Sequence, residues 1–348
     1  MAEEYNSIER TLRTLNFQPV DRVPVDLHNF MLTPIYLGVT DFTDFFRDGE
    51  AMAEGQVKAW KRFGHDVLLV ENGTAALAEA CGVKVIYQED SAPVASQPAI
   101  SSLDEVDQLK MPDPYKDPLL SELLKSTRMV VDEIGEQAFV IGRGDQGPFS
   151  LACEIRGMSE FMLDLALGEE LDKVHQLLEF CLDVSERYCL AQIEQGAHAT
   201  SIGDSPSGPD LISPKYYREF AYPYVERLAK RLKKRDIILA YHICGNATPI
   251  IADMVRSGAD IIEIDQKSDQ VAVKEVASGK ATLLGPIDPS EVMVFGTPEL
   301  VEEKCIEALD NLAPGGGFIL GPGCALPPTT PDENIDVLIE SVKKYQYR

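Results

Sequence analysis

The chain has 348 residues, 45% hydrophobic and 26% charged, which is enough apolar content to bury a sizeable core. Its formal net charge of -25 at pH 7 excludes a phosphate backbone as partner, because capture of nucleic acid needs an excess of Lys and Arg. No apolar run approaches the roughly 20 residues of a membrane span, and "MAEEYNSIER" lacks the basic start and apolar centre of a signal peptide, so a cytoplasmic protein without membrane contact is expected.

Taken in chain order, short apolar runs rich in β-branched residues recur: "RVPVDL" at Arg22, "DVLLVE" at Asp66, "AFVIGR" at Ala138, "ATSIGD" at Ala199, "IILAYH" at Ile237, "DIIEID" at Asp260, "ATLLGP" at Ala281 and "GFILGP" at Gly317. Helix-period segments lie between them, such as "EFMLDLALGEELDKVHQLLEFCLDVSERYCLAQIEQG" and "SPKYYREFAYPYVERLAKRLKK". In the second, Ser213 is placed to cap a helix with Pro214 at its first position. Strand alternating with helix eight times predicts an α/β fold, a (β/α)8 TIM barrel, as a single domain over residues 1–348. The stretch from Cys81 to Ala138, with room for a small hairpin and the Pro-rich "KMPDPYKDP", reads as an excursion from the barrel in its N-terminal half.

Active sites of such barrels form at the C-terminal ends of the strands. Those ends carry Asp26 and His28, Glu71 and Asn72, Asp145 and Gln146, Asp204, His242 and Cys244, Glu263 and Asp265, Asp288, and finally Cys324 in "GPGCALPPTTPDENI". His242 and Cys244 are two apart at the end of the fifth run, so a strand turns both side chains to the same side. Cys324 follows the eighth run, which neighbours the first in a closed barrel. One imidazole and two thiols form a borderline-soft tetrahedral set that suits zinc, with a fourth position open for water, substrate or a carboxylate. The other five cysteines are scattered without disulfide spacing and read as buried small hydrophobes.

Each candidate has a plainer alternative. Cys324 competes with a buried thiol beneath a Gly-rich turn, and His242 with a core histidine bonded to backbone. Glu263 is a fourth ligand or a rim carboxylate in an ion pair. Asp204 polarises a substrate or caps a turn. His28 is a proton donor or a structural strand-end residue, whereas His175 and His198 read as structural. Asp204 and Glu263 are taken as the catalytic candidates, and Gln146, Asn246 and Gly323 as candidates for cofactor contact. "APGGGFILGPGC" lacks GxGxxG spacing and a Walker lysine, so it reads as a tight turn.

"DRVPVD", "GPFSLACEIRG", "GDSPSGPDLISPKYYREFAYPYVERL", "HICGNATPII", "SGADIIEID", "GPIDP" and "GPGCALPPTTPDENI" together resemble the uroporphyrinogen decarboxylase superfamily over nearly the whole chain. His-x-Cys with a distant Pro-Gly-Cys resembles its zinc-dependent, corrinoid-linked methyltransferase branch, which includes methylcobamide:coenzyme M methyltransferases. The resemblance implies zinc on His242, Cys244 and Cys324, and a corrinoid (cobalamin) protein docked over the barrel mouth. No "DxHxxG" segment is present, so the corrinoid is expected on that partner. The methyl donor or acceptor is then a small molecule bound at zinc. Glu263 stands where the coenzyme M enzymes are expected to carry a small or neutral residue, which leaves the identity of that molecule open. Two rivals remain. A decarboxylase of the same superfamily needs no metal, and its Arg-rich segment after the first strand is replaced here by "PVDLHNFMLTPIYLG". A zinc-binding barrel without turnover is the other.

Overall fold

The computed structural model describes residues 4–345. Nine strands form: β1 Val67–Val70, β2 Lys84–Ile86, β3 Val94–Gln97, β4 Phe139–Gln146, β5 Ala199–Gly203, β6 Ile238–Ile243, β7 Ile261–Ile264, β8 Thr282–Ile287 and β9 Phe318–Pro322. Seven of them make one sheet in the order β1-β4-β5-β6-β7-β8-β9, with every neighbouring pair parallel. Helices connect them, as parallel strands require.

The predicted first strand is reduced to two bridged residues. Val25 pairs in parallel with Leu320 of β9, and Asp26 with Val67 of β1, so this segment sits as the eighth stave between the two edges of the sheet. Pro24 cannot donate to a ladder, which helps to explain why the strand stays short. Its carbonyl still accepts from Leu320 N–H at 2.9 Å, and the Val25 carbonyl accepts from Val67 N–H at 2.9 Å.

The excursion after Cys81 contains the expected hairpin, antiparallel β2–β3, and ends at Asp117, which caps the following helix over Pro118–Ile134 by accepting from Leu119 and Leu120 N–H. One further expectation is corrected. The helix opened by Ser213 is not continuous: a π turn at Tyr217–Ala221 precedes Tyr222–Lys233. Pro223 lacks the N–H that an unbroken α-helix would use there.

Strand alternation then builds the interior in layers. Val67, Leu69, Phe139, Ile141, Ala199, Ala240, Ile261, Leu284 and Ile319 form one buried cluster. Ile8 and Leu15, from the Ser7–Leu15 helix, pack against it and close the bottom. Two residues further along each strand, on the same side, come Glu71, Arg143, His242 and Glu263. All four are buried. An apolar floor beneath a polar layer is therefore written in the period-2 pattern of β1, β4, β6 and β7.

Candidate active site at the barrel mouth

His242, Cys244 and Cys324 converge, with one ligand atom from each lying within 4.8 Å of the others. His242 Nε2 is 2.9 Å from Cys244 Sγ, and Cys244 Sγ is 3.7 Å from Cys324 Sγ. Bonds of about 2.3 Å from two thiolates to one tetrahedral zinc put the sulfurs ~3.8 Å apart, so this spacing and this N/S/S donor set fit the ion. All seven cysteines are free.

The turn carrying Cys244 is pinned from both neighbours. Ser205, after β5, accepts from Cys244 N–H at 3.2 Å, while Asp265, after β7, accepts from Gly245 N–H at 2.8 Å. Ser268 accepts from Ala247 N–H at 3.1 Å. Gly245 has φ +87, and a Cβ there would lie 2.4 Å from Asp210 Oδ2. Before Cys324, Gly323 donates to the Ile287 carbonyl at 2.7 Å, and a Cβ on it would approach Gln266 Oε1 to 2.8 Å. The thiols are thus held by backbone contacts from loops far apart in sequence.

Proton affinities follow from this crowding. Hydrogen bonding from Cys324, with His242 beside it, holds the Cys244 thiol well below its usual range, and Cys324 is pushed up in return. Burial alone would depress His242, but Cys244 and Glu263 raise it to about 9. Glu263 pairs with His242 across β6 and β7, and its Oε2 lies 3.7 Å from Nδ1, on the ring edge opposite the thiols. It therefore stands behind the imidazole and outside the three-residue group.

Arg143 is absent from the sequence candidates, although an arginine inside the apolar "AFVIGR" was a visible signal. It lies 3.3 Å from Glu71, whose other oxygen is 3.1 Å from His28 Nε2. Burial works against a charged Glu71, but His28 and Arg143 outweigh it and hold its pKa below the ordinary value. His28 has φ +43, a left-handed backbone that turns its ring into this row.

Other candidates fall elsewhere. Asn246 is exposed and accepts from Thr248 N–H in a local turn, and Asp288 caps Ser290 and Glu291 in the same way. Gln146 donates to Glu154 at 3.3 Å, and Asn72 to the Phe46 carbonyl at 3.2 Å. Asp145 accepts from Leu77 N–H at the start of the Ala76–Ala80 helix. His175 bonds Tyr224 OH at 2.7 Å, and His198 accepts from Val140 N–H at 3.0 Å; each ring also stacks on an aromatic neighbour.

Asp204 is completely buried and accepts from Ser150 N–H at 2.7 Å, in the first turn of the Pro148–Arg156 helix. Burial pushes it up to about 7 despite the opposing hydrogen bonds to Ser150. Its folded pKa thus exceeds the ordinary 3.8, so the stability it contributes is complete below that value and is lost as pH rises through 7. Asp204→Asn is expected to flatten the loss of stability between about pH 4 and pH 8 by roughly 1–4 kcal/mol, one pKa unit being about 1.4 kcal/mol. Urea unfolding across that range checks it; equal slopes in variant and parent would contradict the buried, proton-holding carboxyl.

The sequence profile of the family described as uroporphyrinogen decarboxylase (URO-D) matches residues 6–345. The chain is 31% identical to the methylcobamide:CoM methyltransferase MtbA of Methanosarcina mazei, over 99% of both chains. It is 26% identical to the uroporphyrinogen decarboxylase of Coxiella burnetii, over 98% of this chain and 96% of that one. Among solved structures, a methyltransferase from Methanosarcina mazei superposes with a TM-score of 0.88 at 24% identity, covering 98% of this chain and 99% of the other. Among the described residues no helix is long and apolar enough to cross a membrane.

Proposed function

We propose that this chain, which belongs to the uroporphyrinogen decarboxylase (URO-D) family, is a methyltransferase that holds zinc on His242, Cys244 and Cys324 and moves a methyl group between a separate corrinoid protein and a small molecule. The observation that carries this reading is the convergence of one imidazole and two thiols, from β6 and from the loop after β9, at the open end of the barrel. Methyltransferase activity is named for relatives at 31% and 26% identity that match nearly end to end, which supports the same reaction class here.

Bound by three protein ligands, zinc supplies Lewis acidity at a fourth position, where it lowers the pKa of an acceptor thiol or polarises the heteroatom of a methyl donor. The chain's own residues prepare that position. Ser205, Asp265 and Ser268 fix the Cys244 turn before anything binds, so little reorganisation accompanies ligation. Glu263 faces the second nitrogen of His242 and orients the ring. Asp204 acts at one remove, holding the helix start at Ser150 and preceding Ser205, which anchors Cys244. A decarboxylase reading leaves the paired thiols unexplained, and Arg143 in the polar layer is already committed to Glu71.

The test is the visible spectrum of a methylated corrinoid protein, recorded with the zinc-loaded chain and a panel of thiols and other nucleophiles. Demethylation that requires both chain and acceptor supports the proposal, as does corrinoid methylation from a donor in the reverse direction. No spectral change with any partner, donor or acceptor would sink it. Glu263→Gln is expected to retain the metal, because the three N/S ligands remain, while slowing transfer by about tenfold or more as ring orientation loosens. Stoichiometric metal loss in that variant would instead make Glu263 a ligand.

A further inference from the structure

Behind the polar layer, between β1, β4 and the helices Gly49–Phe63, Pro118–Ile134 and Leu171–Glu194, lies an internal cavity of about 10 Å³. Its apolar wall is Met52, Val70 and Leu123. Its polar wall is Glu71, Ser126, Arg143, Asp145 and Tyr188, all less than one-tenth exposed. Ser126 Oγ, Asp145 Oδ1 and Tyr188 OH are buried without a hydrogen bond among the described residues, and Glu71 Oε2 and Arg143 Nε, 3.3 Å apart as an ion pair, make none either. Where a second polar atom exists it is engaged, Glu71 Oε1 with His28, Asp145 Oδ2 with Leu77 N–H and Arg143 Nη1 with Ser201. Gln192, also in the wall, is occupied with the Arg143 carbonyl and Thr127.

An orphaned buried polar atom costs about 1–3 kcal/mol. Three of them around one space, beside an ion pair that makes no hydrogen bond, are therefore better explained by a shared partner than by separate defects. Size and chemistry select that partner. Tyr188 OH and the Ser126 hydroxyl donate, and Glu71 Oε2 and Asp145 Oδ1 accept. Water accepts two hydrogen bonds and donates two, and a space of about 10–15 Å³ suffices for one molecule. An anion would meet two carboxyl groups there, and a cation would meet the guanidinium.

We infer that this cavity is a specific site for one ordered water, through which Tyr188 positions Glu71 and, by way of the other Glu71 oxygen, His28. The water ties Asp145, within the irregular stretch of β4, to the Arg143–Glu71–His28 row, so the row is held from behind as well as by its own contacts. Tyr188 is a positioning residue with no contact to the metal-binding group.

High-resolution crystal structures of the parent and of Tyr188→Phe test this, together with the side-chain ¹⁵N resonances of His28 at fixed pH. Neither reading depends on zinc, corrinoid or methyl transfer, so failure here leaves the proposed reaction untouched. The expected result is one density peak within hydrogen-bond distance of Ser126, Glu71, Asp145 and Tyr188 in the parent. In Tyr188→Phe that peak is lost and the His28 resonances shift, whereas Met52→Leu, on the apolar wall, leaves both as in the parent. If Tyr188→Phe does not fold, Ser126→Ala gives the same readings. An empty cavity in the parent, a bound ion in place of water, or unchanged water and His28 signals in the polar-wall variant would overturn the inference.

Discussion

Cys324→Ala is expected to lose zinc and methyl transfer together while the barrel stays folded. Cys324 is 80 residues from Cys244 in sequence, yet its sulfur lies 3.7 Å from that of Cys244. No local turn brings them together; the closed sheet does. Loss of an outer-shell contact to a metal ligand already costs about 10–100-fold in affinity or activity, so removal of a ligand itself should exceed ~100-fold. The fold should survive because Cys324 lies past the end of β9, in a partly exposed loop whose side chain adds little to the apolar floor. Zinc stoichiometry, circular dichroism and the rate of corrinoid spectral change read the three consequences separately. A Cys324→Ala protein with full metal content and full activity would remove the third ligand and the mechanism that depends on it.

The convergence of His242, Cys244 and Cys324 was legible because each ends or directly follows an apolar run, and strand ends are where barrels put chemistry. The runs from β1 and β4 through β9 were likewise readable from β-branched composition. What could not be read was register. Glu71, Arg143, His242 and Glu263 share a layer only because Leu69 aligns with Ile141, Ala240 with Ile261, and so on around the sheet, and no single segment contains that information. Arg143 was passed over for this reason: inside "AFVIGR" it looks like a strand terminus, whereas β4 continues to Gln146 and turns the guanidinium inward beside Glu71. Asn246 lies two residues past Cys244, in a turn where it accepts from Thr248 N–H and faces solvent. The first stave was legible in "RVPVDL", but its shortness was not, because its pairing depends on both sheet edges, at Val67 and Leu320.

That closing stave is secured from below by a buried charge cluster, which carries the largest expected effect on stability. Asp66 is fully buried and accepts from Arg10 Nη1 at 2.6 Å, from both terminal nitrogens of Arg22, and from Val25 N–H at 3.0 Å. Its own carbonyl accepts from Phe139 N–H at 2.8 Å, at the entry to β4. One carboxylate thus joins the bottom helix, the short stave and β1. Arg10 is also buried and pairs with Asp21, so Asp66→Ala leaves the guanidinium enclosed without the buried carboxylate it pairs with at 2.6 Å. Breaking a buried pair from one side costs about 3–5 kcal/mol, because desolvation of the remaining charge is no longer offset. Asp66→Ala should therefore lower the free energy of unfolding by that amount, read as a lower urea midpoint with the slope of the transition unchanged. His242, Cys244 and Cys324 sit at the opposite end, on β6 and in the loops after β6 and β9, so the folded fraction of this variant should bind as much zinc as the parent. A loss below about 1 kcal/mol would mean that Arg10 and Arg22 find other partners and that the barrel's closure rests on its backbone bridges alone.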